Sequence, residues 1–502
     1  MDEVTVRVDK VLRPRPAHFH SLINIDQTFL MLRADMVEQL AMAAREIGAR
    51  YVRSIGVFDD VLRVYVKDKP WGPRLNWQNI DAIYDRLLAA GLRPYQAMSF
   101  TPDLLAASAD KRIFTTRSNT SAPADYEKWA WLVGEFARHV VDRYGLEEVS
   151  KWFFEVWNEP NLEFFAGTME EYWRLYEYAA RAVKGVDARL AIGGPATARG
   201  EHIDDFLAAM AKGSGVFGGP VPVDFISTHI YNNDSEWSAL SPFKGEQAEK
   251  QSQSADFCIR LMRIVSRQCR QAGFTGPLHW TEWGRMWNPY KPERETANEA
   301  AFILKTVGSF YAEPQLGDLF SYWNLSDIYD QVGFGDSAFQ GNYGMLNLQG
   351  LKKTSYHAHE ILARLAPNLI GVEGAGFDEA FGAFAAAEGR ATVDVVLYNF
   401  QYERAEAVPP REVRLTVGPF EPSRARLRVI HRRIDEDHSN IVAHWRAMGS
   451  PDYPTPSQIE KLRAMNRLEG DVTTVEAEDG FAVLNFAQTP GSASWIRIEK
   501  AL

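Results

Sequence analysis

The sequence has almost no cysteine: Cys258 and Cys269 are its two thiols in 502 residues. They lie in a stretch of helical period marked by Phe257, Leu261, Ile264 and Val265. At ~1.5 Å per residue their separation is ~16 Å, too long for a disulfide, so reduced structural thiols are expected. Two thiols without converging histidines also make no thiolate zinc site. Runs of basic residues are missing as well. The net charge is −11 and the acids are spread along the chain, which argues against nucleic acid as a partner. No stretch of ~18 apolar residues could span a membrane. The opening M-D-E-V-T-V-R-V-D-K is acidic and short of apolar residues, unlike a signal peptide. A soluble protein of the cytoplasm or periplasm is expected. No G-x-G-x-x-G follows a strand, and there is no G-x-S-x-G elbow, no internal repeat and no low-complexity tract. Aromatics, by contrast, are plentiful: 14 Trp, 19 Tyr and 28 Phe, enough to wall a sugar-binding cleft as well as fill a core.

Eight short apolar runs recur through the first two thirds of the chain: Phe19–Ile23, Tyr51–Ile55, Arg93–Met98, Trp152–Trp157, Leu190–Gly194, Asp224–Ile230, Pro277–Trp283 and Leu319–Trp323. Segments of helical period separate most of them. Met36–Ile47 places Leu40, Ala43, Ala44 and Ile47 on one face, and Tyr126–Tyr144 does the same with Trp129, Leu132, Val133, Phe136 and Val140. Eight strands alternating with helices predict an α/β fold, a (β/α)8 TIM barrel over 15–355. After about Ser355 short alternating runs take over: Ala391–Tyr398, Glu412–Val417, Arg424–His431, Ala482–Phe486 and Ser494–Ile498. These predict an accessory β-sandwich over 356–502, interrupted by a helix at Pro456–Met465. The leading residues 1–14 hold a strand-like Val4–Val11, assigned to the same sandwich.

In such barrels the chemistry sits at the C-terminal ends of the strands. The fourth run, W-F-F-E-V-W, ends in Asn158-Glu159. The sixth ends in Thr228-His229-Ile230-Tyr231, the seventh in Thr281-Glu282-Trp283 and the eighth in Tyr322-Trp323-Asn324. One Glu at a strand end is unremarkable, often a helix-cap partner. Two, at ends four and seven of an eight-strand count, suit glycoside hydrolysis, which needs one carboxylic acid and one carboxylate. Burial among aromatics would raise the pKa of Glu159 and let it hold a proton near neutrality. No Cys or second His joins the set, so neither metal nor cofactor is expected.

The sequence resembles family 39 glycoside hydrolases of the β-xylosidase type. The matching stretches run from Y-V-R-S-I-G-V-F-D-D (51–60) through F-E-V-W-N-E-P-N-L (154–162), I-G-G-P-A-T-A (192–198), I-S-T-H-I-Y (226–231) and H-W-T-E-W (279–283) to F-S-Y-W-N-L-S-D-I (320–328). R-R-I-D-E-D-H-S-N (432–440) and M-G-S-P-D-Y-P-T-P (448–456) match the accessory sandwich. The resemblance implies a retaining exo-β-xylosidase acting on oligosaccharides, with Glu159 as acid/base and Glu282 as nucleophile. Asn158, His229, Tyr231, Trp323, Asp330, Gln331 and Phe339 would bind substrate. Retention predicts carboxyl groups about 5–5.5 Å apart. Three positions depart from the family pattern. Ile55 stands where a sugar-binding His is usual, and Asp330-Gln331 stands where two Glu are usual. A related glycosidase with another substrate, such as an arabinopyranosidase or an enzyme of bacterial polysaccharide, is therefore the alternative. Nothing in the sequence bears on the oligomeric state. The segments Tyr231–Gln251 and Gly284–Glu295 are expected to shape the cleft mouth.

Overall fold

A computed structural model describes the chain except for residues 69–71, 249–255, 402–407 and 502. Eight strands form one parallel sheet: Leu22–Gln27, Tyr51–Ile55, Arg93–Met98, Phe153–Val156, Ala191–Thr197, Phe225–Tyr231, Leu278–Gly284 and Leu319–Tyr322. They are ordered as in the chain, and each neighbouring pair is parallel. The barrel closes where Leu325, just past strand eight, donates its N–H to the carbonyl of Asn24 on strand one at 2.8 Å. The architecture is the (β/α)8 barrel.

Seven of the eight expected runs overlap their strands closely. The first is displaced: His18–Ser21 makes one helical turn, and the strand continues to Gln27. Phe19 leaves the sheet to stack on Phe320 (4.1 Å between ring centroids) with its edge to Phe310 (4.9 Å). The polar residues Asn24, Asp26 and Gln27 belong to the strand because they are buried at its mouth end, where Asn24 Nδ2 donates to the Thr281 carbonyl at 2.7 Å. At the other end a plug of rings fills the barrel. Tyr95 stacks on Phe153 (5.0 Å), Phe225 stacks on His279 (4.9 Å), and the Tyr95 hydroxyl meets His279 Nδ1 at 3.1 Å. The site can therefore lie only at the opposite, C-terminal mouth.

The last barrel helix, Thr354–Arg364, buries Tyr356, Ile361 and Leu362 in the same core, and the chain leaves the barrel after it. The strands that follow, together with the first strand of the chain, form a second, nine-stranded sheet with its own core. Its member Asp2–Pro14 lies antiparallel to Asn368–Gly374 and parallel to Arg411–Gly418. Val4, Val6 and Val8 point inward from it at the two-residue period of a strand. The sheet packs on the barrel helix Ala297–Ala312: Phe384 meets the Tyr311 ring at 5.3 Å, and a Cβ at Gly308 would come within 3.0 Å of Phe384. Cys258 and Cys269 are free and buried on the helix Phe257–Gln271. No helix among the described residues is long and apolar enough to cross a membrane.

Candidate active site

Strand two carries Arg53 into the barrel interior, where it has no solvent exposure. An isolated cation there would be very costly. All three of its nitrogens donate. Nε donates to Glu155 Oε2 (2.8 Å), Nη1 to Glu282 Oε1 (2.9 Å), and Nη2 to Asn158 Oδ1 (2.8 Å) and His229 Nε2 (3.2 Å). Burial alone would weaken this cation, but Glu155 and Glu282 outweigh it and hold the guanidinium more firmly protonated than usual. The second oxygen of Glu155 accepts from Thr281 Oγ1 at 2.9 Å.

The fork on Arg53 sets the protonation of its neighbours. Arg53 can only donate, so Nε2 of His229 accepts, and Nδ1 carries the ring proton. That N–H donates to Glu159 Oε1 at 2.8 Å. Burial lowers the His229 pKa to about 4, so the ring is neutral and this contact is a hydrogen bond, not an ion pair. Glu159 therefore faces a neutral donor. Burial raises its pKa to about 7, with Arg53 and Arg199 pulling the other way. With Oε1 engaged by His229, Oε2 is the oxygen left to carry a proton.

Glu282 is held differently. Oε1 accepts from Arg53, and Oε2 accepts from the Tyr231 hydroxyl at 2.7 Å. Burial raises its pKa too, while Arg53 and Tyr231 favour the ionised form. Two carboxyls thus stand side by side in unlike surroundings, the arrangement that separates an acid from a carboxylate. One oxygen from each, together with His229 Nδ1, fall within 4.8 Å of one another. Arg53, bonded to Glu282 and His229, already supplies the positive charge that such a trio attracts.

The backbone around Glu159 is strained. Trp157 (φ 70°), Glu159 (φ 45°), Ala196 (φ 54°) and Arg199 (φ 64°) all adopt the left-handed region, which non-glycine residues rarely enter. The Glu159 N–H donates to the Ala196 carbonyl at 2.8 Å, tying the ends of strands four and five together.

These groups open into a cleft of about 430 Å³. Asn158, Glu159, Tyr231, Glu282, Trp323 and Gln331 line it; His229 lies beneath, fully buried, in contact with Glu159. One wall, after strand eight, is aromatic: Trp323, Tyr329 and Tyr343 cluster with Tyr231. The other wall follows strands four and five, with Leu162, Glu163, Phe164, Ala198 and Arg199. Trp287 and Pro289 line the rim, within the expected Gly284–Glu295 segment; of Tyr231–Gln251, residues 249–251 lie outside the described residues.

Three sequence-level expectations change. Phe339 is not a cleft residue. It is buried in a separate cluster with Leu351, Ile441 and Val442, its ring 5.3 Å from Trp445, because the helices Ile441–Ala447 and Pro456–Met465 cover that stretch. Asp330 is off the cleft wall as well: its N–H donates to Asp26 Oδ2 (3.0 Å) and its carbonyl accepts from Thr115 Oγ1 (2.8 Å). Ile55 is wholly buried in the main core. Four residues of the site escaped the sequence reading: Arg53, Glu155, Asp26 and Arg199. A charge inside an otherwise apolar strand was the available signal for the first two, in Y-V-R-S-I and F-F-E-V-W. Asp26 is raised to about 7 by burial and accepts from Gln331 Nε2 at 2.8 Å.

Residues 3–481 match the family model described as glycosyl hydrolases family 39. The chain belongs to this family. It is 35% identical to a β-xylosidase of Caldicellulosiruptor saccharolyticus over 440 residues, covering 87% of this chain and 86% of that one. It is 31% identical to a β-xylosidase of Geobacillus stearothermophilus over 483 residues, covering 94% and 90%. A crystal structure of a monomeric β-xylosidase from Caulobacter crescentus CB15 superposes with a TM-score of 0.84 at 28% identity, covering all of both chains. As a member of glycoside hydrolase family 39 the chain is a glycosidase, and its substrate is a carbohydrate.

Proposed function

We propose that this glycosidase is a retaining, exo-acting β-D-xylosidase that releases xylose from the non-reducing end of xylo-oligosaccharides. The observation that carries the mechanism is the pair of carboxyls with facing oxygens within 4.8 Å and unlike surroundings. Carboxyls with oxygens this close fit the shorter spacing of retaining enzymes better than the wider one of inverting enzymes. In the first step Glu282 Oε attacks the anomeric carbon while the proton on Glu159 Oε2 passes to the departing glycosidic oxygen. The C–O bond breaks, the alcohol leaves, and an ester joins sugar and Glu282. Arg53 and Tyr231 hold Glu282 before attack. In the second step Glu159, now a carboxylate, takes a proton from water; the oxygen of that water attacks the anomeric carbon and frees Glu282. Asn158, with its Oδ1 fixed by Arg53, offers its amide N–H to a sugar hydroxyl. The two relatives named for β-xylosidase activity support the choice of xylose.

A second reading is favoured by one feature of the cleft wall. Gln331 spends Oε1 on the Tyr329 hydroxyl (2.7 Å) and one N–H on Asp26, so this wall offers the sugar a donor and no carboxylate. With Ile55 withdrawn into the core, a glycone other than xylose would meet little resistance here. Hydrolysis of aryl β-D-xyloside beside α-L-arabinopyranoside, α-L-arabinofuranoside, β-D-glucoside and β-D-fucoside decides between the readings. Preference for the xyloside by a wide margin supports the first. Preference for another glycoside moves the assignment to that sugar.

A further inference from the structure

Arg199 has no role in the steps above, yet it stands on the cleft wall. It lies in the turn Ala198–Gly200 after strand five, with its φ of 64° in the left-handed region. The turn is pinned there. Ser238 Oγ donates to the Arg199 carbonyl at 3.0 Å, and a Cβ on the following Gly200 would meet Val265 at 2.9 Å. Backbone strain of this kind persists only where the surroundings enforce it.

Arg199 acts on the nearby acids from a distance: it favours the ionised forms of Glu159 and Asp234, and among the described residues it makes no direct ion pair with either. Glu201 spends one oxygen on the Ala239 N–H (2.6 Å) and the other on Asn161 Nδ2 (3.3 Å). Asp234 is buried, which raises its pKa to about 8, so it is mostly neutral at pH 7. Glu159 holds its proton up to about pH 7. Glu163 is exposed on the same wall, and no ion pair within 4 Å joins Arg199 to it or to another acid among the described residues. A cation therefore faces the cleft with no acid in ion-pair contact among the described residues.

Its position says which part of a substrate it meets. The acid protonates the leaving oxygen, so the leaving group lies on the side of Glu159. Arg199 shares that wall with Leu162, Glu163 and Phe164, across from Trp323, Tyr329 and Gln331. We infer that Arg199 is a specificity determinant of the leaving-group side and selects aglycones that carry a carboxylate. This rests on the reading of Glu159 as the acid. The carboxylate can come from a uronic acid or from an aromatic acid, since a guanidinium binds both by the same fork.

The test compares kcat/KM for matched pairs: the β-D-xyloside of a carboxyphenol with that of its carboxamide, and β-D-xylosyl uronate with its methyl ester. If the panel above selects another glycone, the pairs are made on that sugar. Wild type is expected to prefer the acid member of at least one pair, and which pair responds identifies the source. Arg199→Met should shrink that preference about ten-fold or more, the scale of a hydrogen bond between charged groups. Arg199→Lys should keep part of it, and added salt should erode it in the wild type. The Met variant should also move the basic limb of the pH profile upward, because a cation that favours ionised Glu159 is gone. Equal acid-to-neutral ratios in wild type and Arg199→Met, or a wild-type ratio indifferent to salt, overturn the inference. If Arg199→Met is poorly folded, the Lys variant and the salt series decide. A wild type that cleaves none of the neutral members refutes the proposed function instead, so the two failures are distinguishable.

Discussion

Arg53 is the residue whose replacement should cost most for reasons legible in the geometry. Among the described residues, Arg53→Met removes the one hydrogen-bond partner of Glu155 Oε2 and one of the two hydrogen-bond donors to Glu282, at positions with little or no contact with water. Breaking one side of a buried ion pair costs roughly 3–5 kcal/mol, because the abandoned charge stays buried. Thermal or urea unfolding should register that loss. Activity should report a second consequence. Arg53 favours the ionised forms of both Glu282 and Glu159, so its loss raises both pKa values. The acidic limb of kcat/KM requires ionised Glu282, and the basic limb requires protonated Glu159. The whole bell should therefore move to higher pH while its height falls. The double variant Arg53→Met/Glu155→Met removes the stranded charge as well. It should recover a good part of the stability and none of the activity. Wild-type stability in Arg53→Met, or an unmoved bell, would refute the argument that one guanidinium sets the charge state of the site.

Glu159→Gln should lower kcat/KM on unactivated disaccharides about 10²–10⁴-fold, the usual worth of a general acid. It should cost less on aryl glycosides with good leaving groups, and abolish the basic limb near pH 7. Tyr231→Phe removes the 2.7 Å hydrogen bond to Glu282 and should lower kcat about ten-fold with little change in unfolding temperature. Asp234 bears on stability: its pKa is raised to about 8, so the folded state binds the extra proton and loses stability as pH climbs from about 4 toward 8. Asp234→Asn should flatten that decline in a pH series of unfolding temperatures; parallel curves for variant and wild type would contradict it.

The barrel was legible because burial on both sides of a parallel strand leaves a plain apolar run, and eight such runs alternate with helical periods. Glu159 and Glu282 were legible for a related reason: each is a carboxylate that ends such a run. What escaped had a common cause. Asp26 sits in L-I-N-I-D-Q, whose polar letters look like a loop until the other strand ends surround them. Arg53 and Glu155 look like intrusions in apolar strands, and only their convergence from strands two and four makes each reasonable. Phe339 failed in the opposite sense. An aromatic after strand eight fits a sugar platform, but two helices from the far end of the sequence cover it, and no local pattern announces that.

The acid and Arg199 form one unit rather than two. Strand four delivers Glu159 through a backbone held at positive φ, and strand five delivers Arg199 the same way, with the Glu159 N–H bonded to Ala196 between them. A shift in either turn would move both the proton donor and the cation that meets the leaving group. Strain at four positions is costly, of order 1 kcal/mol or more each, and it is concentrated around the acid. Its effect is to fix Glu159 Oε2 relative to the wall on which the leaving group rests. Protonation efficiency and leaving-group choice should therefore respond together when this pair of turns is altered. Gly200→Ala, which would press a methyl group on Val265 at 2.9 Å, should lower activity on poor leaving groups more than on activated ones, while leaving the Arg53–Glu282 side of the site in place. Equal losses on both kinds of substrate would mean that the turn only supports the barrel.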